Sequence, residues 1–222
     1  MTKAPRQQKS ADTREKILEA ALELFREKGF AETSMREVAA QARVATGLAY
    51  YYFASKDAIV HAFYQRAKDD LASLLEEAQK GKKLEARLTA IISVKFRYFA
   101  PNRKFLGALM GHAADPANPL SPFAPESRGV REQDLAQFAR ALAETDTSIP
   151  DDMAPHMPKI LWMYQMGMIL FWIYDRSEGQ ARTARLLEAS VKMVGALIKL
   201  GSLPLLKPAR RTVLELVEIL ES

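Results

Sequence analysis

The side chains able to do covalent chemistry are few and scattered. There is no cysteine, and the three histidines, His61, His112 and His156, lie far apart. Disulfides, thiol catalysis and cysteine-held zinc are excluded, and the histidine spacing suits no metal. No glycine-rich phosphate loop or nucleophile motif occurs, and His112 with Asp115 reads as a surface pair. The chemistry that residue types and spacing do support is recognition. Thr46, Gly47, Leu48, Tyr50, Tyr51 and Tyr52, followed by Lys56, bring together hydroxyls, a bare backbone, an apolar contact, flat rings and a cation. Such groups suit phosphate oxygens, base edges and thymine methyls. Three consecutive tyrosines fit plain core filling as well, so these residues alone do not decide.

Two short helices joined by a tight corner must position them. Ser34 and Glu37 make a capping box at the start of the first. Met35, Val38, Ala39 and Ala42 share one helical face, Val44 sits in the corner, and Ala49 and Tyr52 continue the apolar contact on the second helix. This is the pattern of a helix-turn-helix. Before it, Asp12 and Glu15 form another capping box, Ile17, Ala20, Ala21, Leu24 and Phe25 form a stripe, and Gly29 is a left-handed C-cap. After it, Ser55 caps a long helix reaching about residue 79, with Asp57 in its first turn and Lys56 at its entrance, free for a phosphate.

Ile-Leu-Glu-Ala-Ala-Leu-Glu-Leu-Phe-Arg-Glu-Lys-Gly-Phe from Ile17, Thr-Ser-Met-Arg-Glu-Val-Ala from Thr33, and Gly-Leu-Ala-Tyr-Tyr-Tyr-Phe-Ala-Ser-Lys-Asp-Ala from Gly47 resemble the N-terminal domain of the tetracycline-repressor-like (TetR) family of transcriptional regulators. The resemblance implies that Thr46, Gly47 and Tyr50 contact bases and that Thr33, Leu48, Tyr51, Tyr52 and Lys56 touch the DNA backbone, with Ser34 counted among the DNA-binding residues. This chain departs from the family at four positions. Arg43 stands where the corner commonly has Gly, Ala45 where Ser or Thr often caps, Leu48 where Thr is common, and Ala54 where Pro is common.

The expected fold is all-α, a three-helix DNA-binding domain followed by a larger helical ligand-binding and dimerisation domain. The divisions are a flexible arm over 1–11, the helix-turn-helix domain over 12–56, the larger domain over 57–203, and a C-terminal extension over 204–222. Helices are expected over about 84–99, 126–144, 158–175 and 180–200. Residues 115–127, holding four prolines and Phe123, are a loop. Phe96, Phe99, Phe105, Leu109, Met110, Phe138, Trp162 and Met166 are the expected lining of a ligand pocket, since rings and thioethers line apolar cavities; core packing accounts for them too. The helix over 158–175 is apolar on nearly every face and needs cover on both sides. With its neighbour it implies a dimer interface through Met168, Trp172, Leu187, Val191, Val194 and Ile198. The extension reads as a last amphipathic helix on Val213, Leu214, Val217 and Leu220.

Net charge is +5, and it is unevenly placed: residues 1–104 carry 20 Lys/Arg against 13 Asp/Glu, and residues 105–222 carry 12 against 14. The basic excess accompanies the helix-turn-helix and favours a polyanion partner. The polar N-terminus lacks a signal core, and the longest apolar run, over 160–174, is too short to span a bilayer. A cytoplasmic protein with no membrane partner, no metal and no cofactor is expected. The leading expectation is a homodimeric repressor, not an enzyme, released from a palindromic operator on double-stranded DNA by a hydrophobic or amphipathic small molecule. Two alternatives stand beside it: a DNA-binding dimer without small-molecule control, and an all-helical enzyme acting on a hydrophobic substrate.

Overall fold

The computed structural model describes residues 5–78, 80–113 and 115–203, with seven further positions between 205 and 215. Among the described residues the chain forms nine α-helices and no strand: α1 (Pro5–Glu27), α2 (Met35–Gln41), α3 (Thr46–Tyr52), α4 (Lys56–Ala78), α5 (Leu84–Phe99), α6 (Arg103–Ala113), α7 (Arg128–Ala143), α8 (Met157–Tyr174) and α9 (Ala181–Gly201). The side chain of His112, and the Val213, Leu214, Val217 and Leu220 stripe expected in a last helix, lie outside the described residues.

The first helix begins earlier than expected. Asp12 lies inside α1 and accepts from Gln8 Nε2 at 3.1 Å, so it caps nothing, and the segment expected as a flexible arm is helical from Pro5. The physical reason is that no glycine interrupts 5–27, and proline is at home in a first turn. The compact units also divide the chain differently from a cut at 56/57: one comprises Met1–Asp69 with Phe99–Val130, the other Asp70–Tyr98 with Arg131–Ser222.

The first unit is built around aromatic rings. Phe25 of α1 stacks on Phe105 of α6 at 5.0 Å and meets Phe30 edge-on at 5.2 Å, while Phe63 of α4 lies 6.0 Å from Phe105. Phe105 and Leu109 are buried in this unit, and Phe99 meets Phe63 edge-on. The proline-rich loop is stiffened by its own side chains: Asp115, Asn118 and Ser121 each accept a backbone N–H two residues on, and Ser127 Oγ donates to the Ser121 carbonyl at 2.7 Å.

The second unit packs Leu88, Ile91 and Ile92 of α5, Phe138 and Leu142 of α7, Leu161, Trp162, Met168 and Trp172 of α8, and Leu187, Val191 and Ile198 of α9 into its core. Phe96 and Trp172 stack face to face, 5.1 Å apart. The corner between α8 and α9 is held by buried Asp175, whose carboxylate accepts from the backbone and hydroxyl of both Ser177 and Thr183 at 2.7–2.9 Å. Burial opposes its ionisation, but these four donors prevail and hold its pKa well below the usual carboxylate range.

Here the expected dimer residues need correction. Met168, Trp172, Leu187, Val191 and Ile198 face this unit's own core, and Val194 is half-buried. The exposed apolar side chains are instead Met163, Leu170, Phe171 and Tyr174 on α8, and Leu186, Met193, Leu197 and Leu200 on α9. With 3.6 residues per turn the two faces differ by only one or two positions, and both are apolar, so periodicity could not tell them apart. Among the described residues no helix is long and apolar enough to cross a membrane.

Candidate nucleic-acid interface

The helix-turn-helix is closed by main-chain geometry. Ser34 Oγ accepts the Glu37 N–H at 3.3 Å, and Glu37 Oε2 accepts the Ser34 N–H at 2.8 Å, which completes the capping box of α2. Bonding to Lys28, reinforced by Ser34, lowers the Glu37 pKa to about 2, so the box stays ionised at physiological pH. At the other end of α2, Val44 N–H bonds the Ala39 carbonyl at 3.0 Å and Arg43 N–H bonds the Ala40 carbonyl at 3.1 Å. That pair of bonds is a Schellman motif, whose C′ residue must be left-handed. Arg43 takes that place with φ 56°.

Helix α2 packs on both α1 and α3. Val38 and Ala39 are buried on one side of the corner and Ala49 and Phe53 on the other. The opposite face of α3 is then turned to solvent: Leu48 is 39%, Tyr50 50% and Tyr51 79% exposed, with Thr46 and Gly47 beside them. No side chain caps α3. Gly47 has an ordinary helical φ, and nothing lies within 4 Å of the place a Cβ would occupy. Glycine is therefore unexplained by the fold, although it weakens a helix by up to about 1 kcal/mol relative to alanine. A bare backbone on an open face is what close approach to a flat or phosphate-bearing partner requires.

Three of the expected contact residues are occupied within the protein. Thr33 is only 2% exposed and its hydroxyl donates to the Gly29 carbonyl at 2.7 Å. Lys56 is not left free at the entrance of α4: its Nζ donates to the carbonyls of Phe30 and Ala31 at 2.6 and 3.1 Å and lies over the Phe30 ring. It clasps the turn after α1. Tyr52 is half-buried, with its hydroxyl 3.1 Å from Ser10 Oγ. Ser34 remains exposed at the start of α2. Ser10 lies in the stretch up to 11 that the sequence presents as an arm; the available signal for a helix there is the absence of any glycine over 5–27 and of any proline after Pro5.

The expected pocket residues do not gather in one unit. Phe99, Phe105, Leu109 and Met110 belong to the first, and Phe96, Phe138, Trp162 and Met166 to the second. Sequence reasoning also missed Lys95, Asp134 and Gln165, which meet inside the second unit. Their signal was a polar residue on an apolar helical phase: four after Ile91, four before Phe138 and four after Leu161.

Comparison with known proteins agrees with this arrangement. Residues 17–63 match the family described as bacterial regulatory proteins, tetR family, and residues 87–218 match the tetracyclin repressor-like C-terminal domain. A Bacillus subtilis protein named as the uncharacterized HTH-type transcriptional regulator YerO is 27% identical over 110 residues, 48% of this chain and 38% of that protein. The HTH-type transcriptional repressor Rv3405c of Mycobacterium tuberculosis is 38% identical over 72 residues, 32% of this chain and again 38% of that protein. These matches thus span under two fifths of the relatives' own length. A Streptomyces coelicolor tetR-family transcriptional regulator shares the fold at TM-score 0.62 and 24% identity, over 96% of this chain and 99% of its own, as does Salmonella enterica GusR at TM-score 0.64 and 22% identity, over 85% and 96%. With both of its parts matched, the chain belongs to the TetR family of transcriptional regulators.

Proposed function

We propose that the chain is a homodimeric repressor that binds a two-fold symmetric operator through α3 and leaves it when a hydrophobic or amphipathic small molecule enters the second unit. The observation that carries the DNA-binding part is Gly47, a glycine that the fold has no use for, set between exposed Thr46 and Leu48 and one turn from Tyr50 and Tyr51. The dimer is supported by the exposed Met163, Leu170, Phe171 and Tyr174 on α8 and Met193 and Leu197 on α9, large apolar side chains of the kind that mark protein–protein contacts when they cluster. The effector site is supported by Phe96, Phe138, Trp162 and Met166 of the second unit, and repression by the mycobacterial relative, which is named a transcriptional repressor.

The test begins with selection from a random duplex library, which is expected to return a two-fold symmetric site. Gly47→Ala should then raise the thermal midpoint slightly, because alanine favours α3 by up to about 1 kcal/mol, while weakening binding to the selected duplex. A library that yields no enriched site, or a Gly47→Ala variant that binds as tightly as the parent, overturns the assignment of α3 as the reading helix.

A further inference from the structure

Three polar side chains from three helices meet inside the second unit. Lys95 of α5 and Asp134 of α7 form an ion pair at 2.6 Å, with only 4% and 17% of their side chains exposed. Fully buried Gln165 of α8 donates its Nε2 to the other oxygen of Asp134 at 3.0 Å. A carboxylate only accepts, so this bond settles which end of the amide faces Asp134. The other end, Gln165 Oε1, is buried and has no hydrogen-bond partner.

Packing does not call for this cluster. Each member replaces an apolar residue on the buried phase of its helix, and well-packed hydrocarbon in place of a buried ion pair is often neutral or stabilising. A buried acceptor with no donor is unfavourable, and native proteins hold few of them. What the cluster provides is a buried acceptor, Gln165 Oε1, held in place by a neutralised ion pair.

We propose that Gln165 Oε1 is the polar anchor of the effector site, and that the effector is an uncharged molecule carrying a hydrogen-bond donor, a hydroxyl or an N–H, on an apolar body. This rests on the reading of the chain as a ligand-responsive repressor. The charge argument sets the class. Lys95 and Asp134 neutralise each other at bonding distance, so neither is left to hold an ionic effector, and a carboxylate effector would set a second acceptor against Oε1. Lys95 and Asp134 are positioning residues: the ion pair holds Asp134, and Asp134 orients the amide. Trp162, three residues before Gln165 on α8 and buried, reports on the site by its fluorescence.

Three probes share one body and differ in the anchor group: 4-propylphenol offers a donor, 4-propylanisole only an acceptor, and 4-propylbenzoate an anion. Titrated calorimetrically into the full-length protein, the phenol is expected to bind at least about tenfold more tightly than either of the others, the increment of one satisfied buried hydrogen bond. Gln165→Met keeps the length of the side chain and removes the acceptor, so it should abolish the preference. Gln165→Asn, which retracts the acceptor by one methylene, should abolish it too and serves where the methionine variant does not fold. Equal binding of phenol and anisole by the parent, a preference that survives both substitutions, or no binding of any probe at millimolar concentration overturns the anchor. A phenol bound with the expected preference that leaves affinity for the selected duplex unchanged instead sinks the repressor switch and leaves the anchor standing.

Discussion

Lys56 donates to two main-chain carbonyls and lies over the Phe30 ring, so its charge is used inside the first unit. Lys56→Met keeps the hydrocarbon stem and removes the ammonium. It is expected to destabilise the protein by about 1–2 kcal/mol, the range for hydrogen bonds to a charged donor, read as a lower denaturation midpoint in urea. An unchanged midpoint together with a shallower salt dependence of DNA binding would make Lys56 a phosphate ligand after all. Asp175 gives a pH-dependent counterpart. Its folded pKa lies below the unfolded value of about 3.9, so the stability it contributes is fully present above that unfolded value and is lost as pH falls towards the folded one. Asp175→Asn should therefore destabilise most near pH 7 and progressively less from about pH 5 down to pH 3. Denaturation curves whose separation stayed constant over that range would show that the carboxylate's charge is not what holds the α8–α9 corner.

The corner between α2 and α3 shows how an element imposes a conformation on a residue poorly suited to it. The two Schellman hydrogen bonds fix the left-handed turn, and Arg43 occupies it where glycine would be unstrained. Since the left-handed conformation disfavours an L-residue by about 1–2 kcal/mol, partly offset by the greater freedom of an unfolded glycine, Arg43→Gly is expected to stabilise the protein by about 0.5–1 kcal/mol. A fall in the thermal midpoint would mean that the exposed Arg43 side chain holds the corner by contacts of its own. Much at this scale was legible in the sequence. The capping box at Ser34 and Glu37, the C-cap at Gly29 and the exposure of Thr46, Gly47, Leu48, Tyr50 and Tyr51 follow from short-range rules, and the structure has them. Two kinds of feature were not legible. The start of α1 was missed because Asp12 and Glu15 mimic a capping box in the middle of a helix, and only the backbone bonds reveal that no cap is needed there. The engagement of Lys56 with Phe30 and Ala31 was missed because it joins residues twenty-five and twenty-six positions apart, which no local pattern encodes.

At the scale of the whole molecule the open question is the outward face of α8 and α9. Periodicity marks the 158–175 helix as apolar on nearly every face without saying which side is core; the structure shows which sides of α8 and α9 the chain uses for itself and leaves Phe171, Tyr174, Met193 and Leu197 exposed. Because these side chains are exposed in the single chain, a charge placed among them spares the subunit's core and acts on association. Leu197→Glu is therefore expected to turn a dimer into a monomer at micromolar concentration, read by sedimentation. DNA binding should change in a particular way. Two reading helices on one dimer meet successive major grooves about 34 Å apart, and binding the second half-site is then intramolecular, which raises avidity by about 10²–10⁴. The monomer loses that factor on a two-fold site and keeps the parent's affinity for an isolated half-site, because α3 is untouched. Gly47→Ala should behave in the opposite sense, weakening half-site and full site alike. A Leu197→Glu variant that remains dimeric would move the interface elsewhere; one that is monomeric yet binds the full site like the parent would show that each chain reads DNA alone, and the two-fold operator would have no basis in this protein.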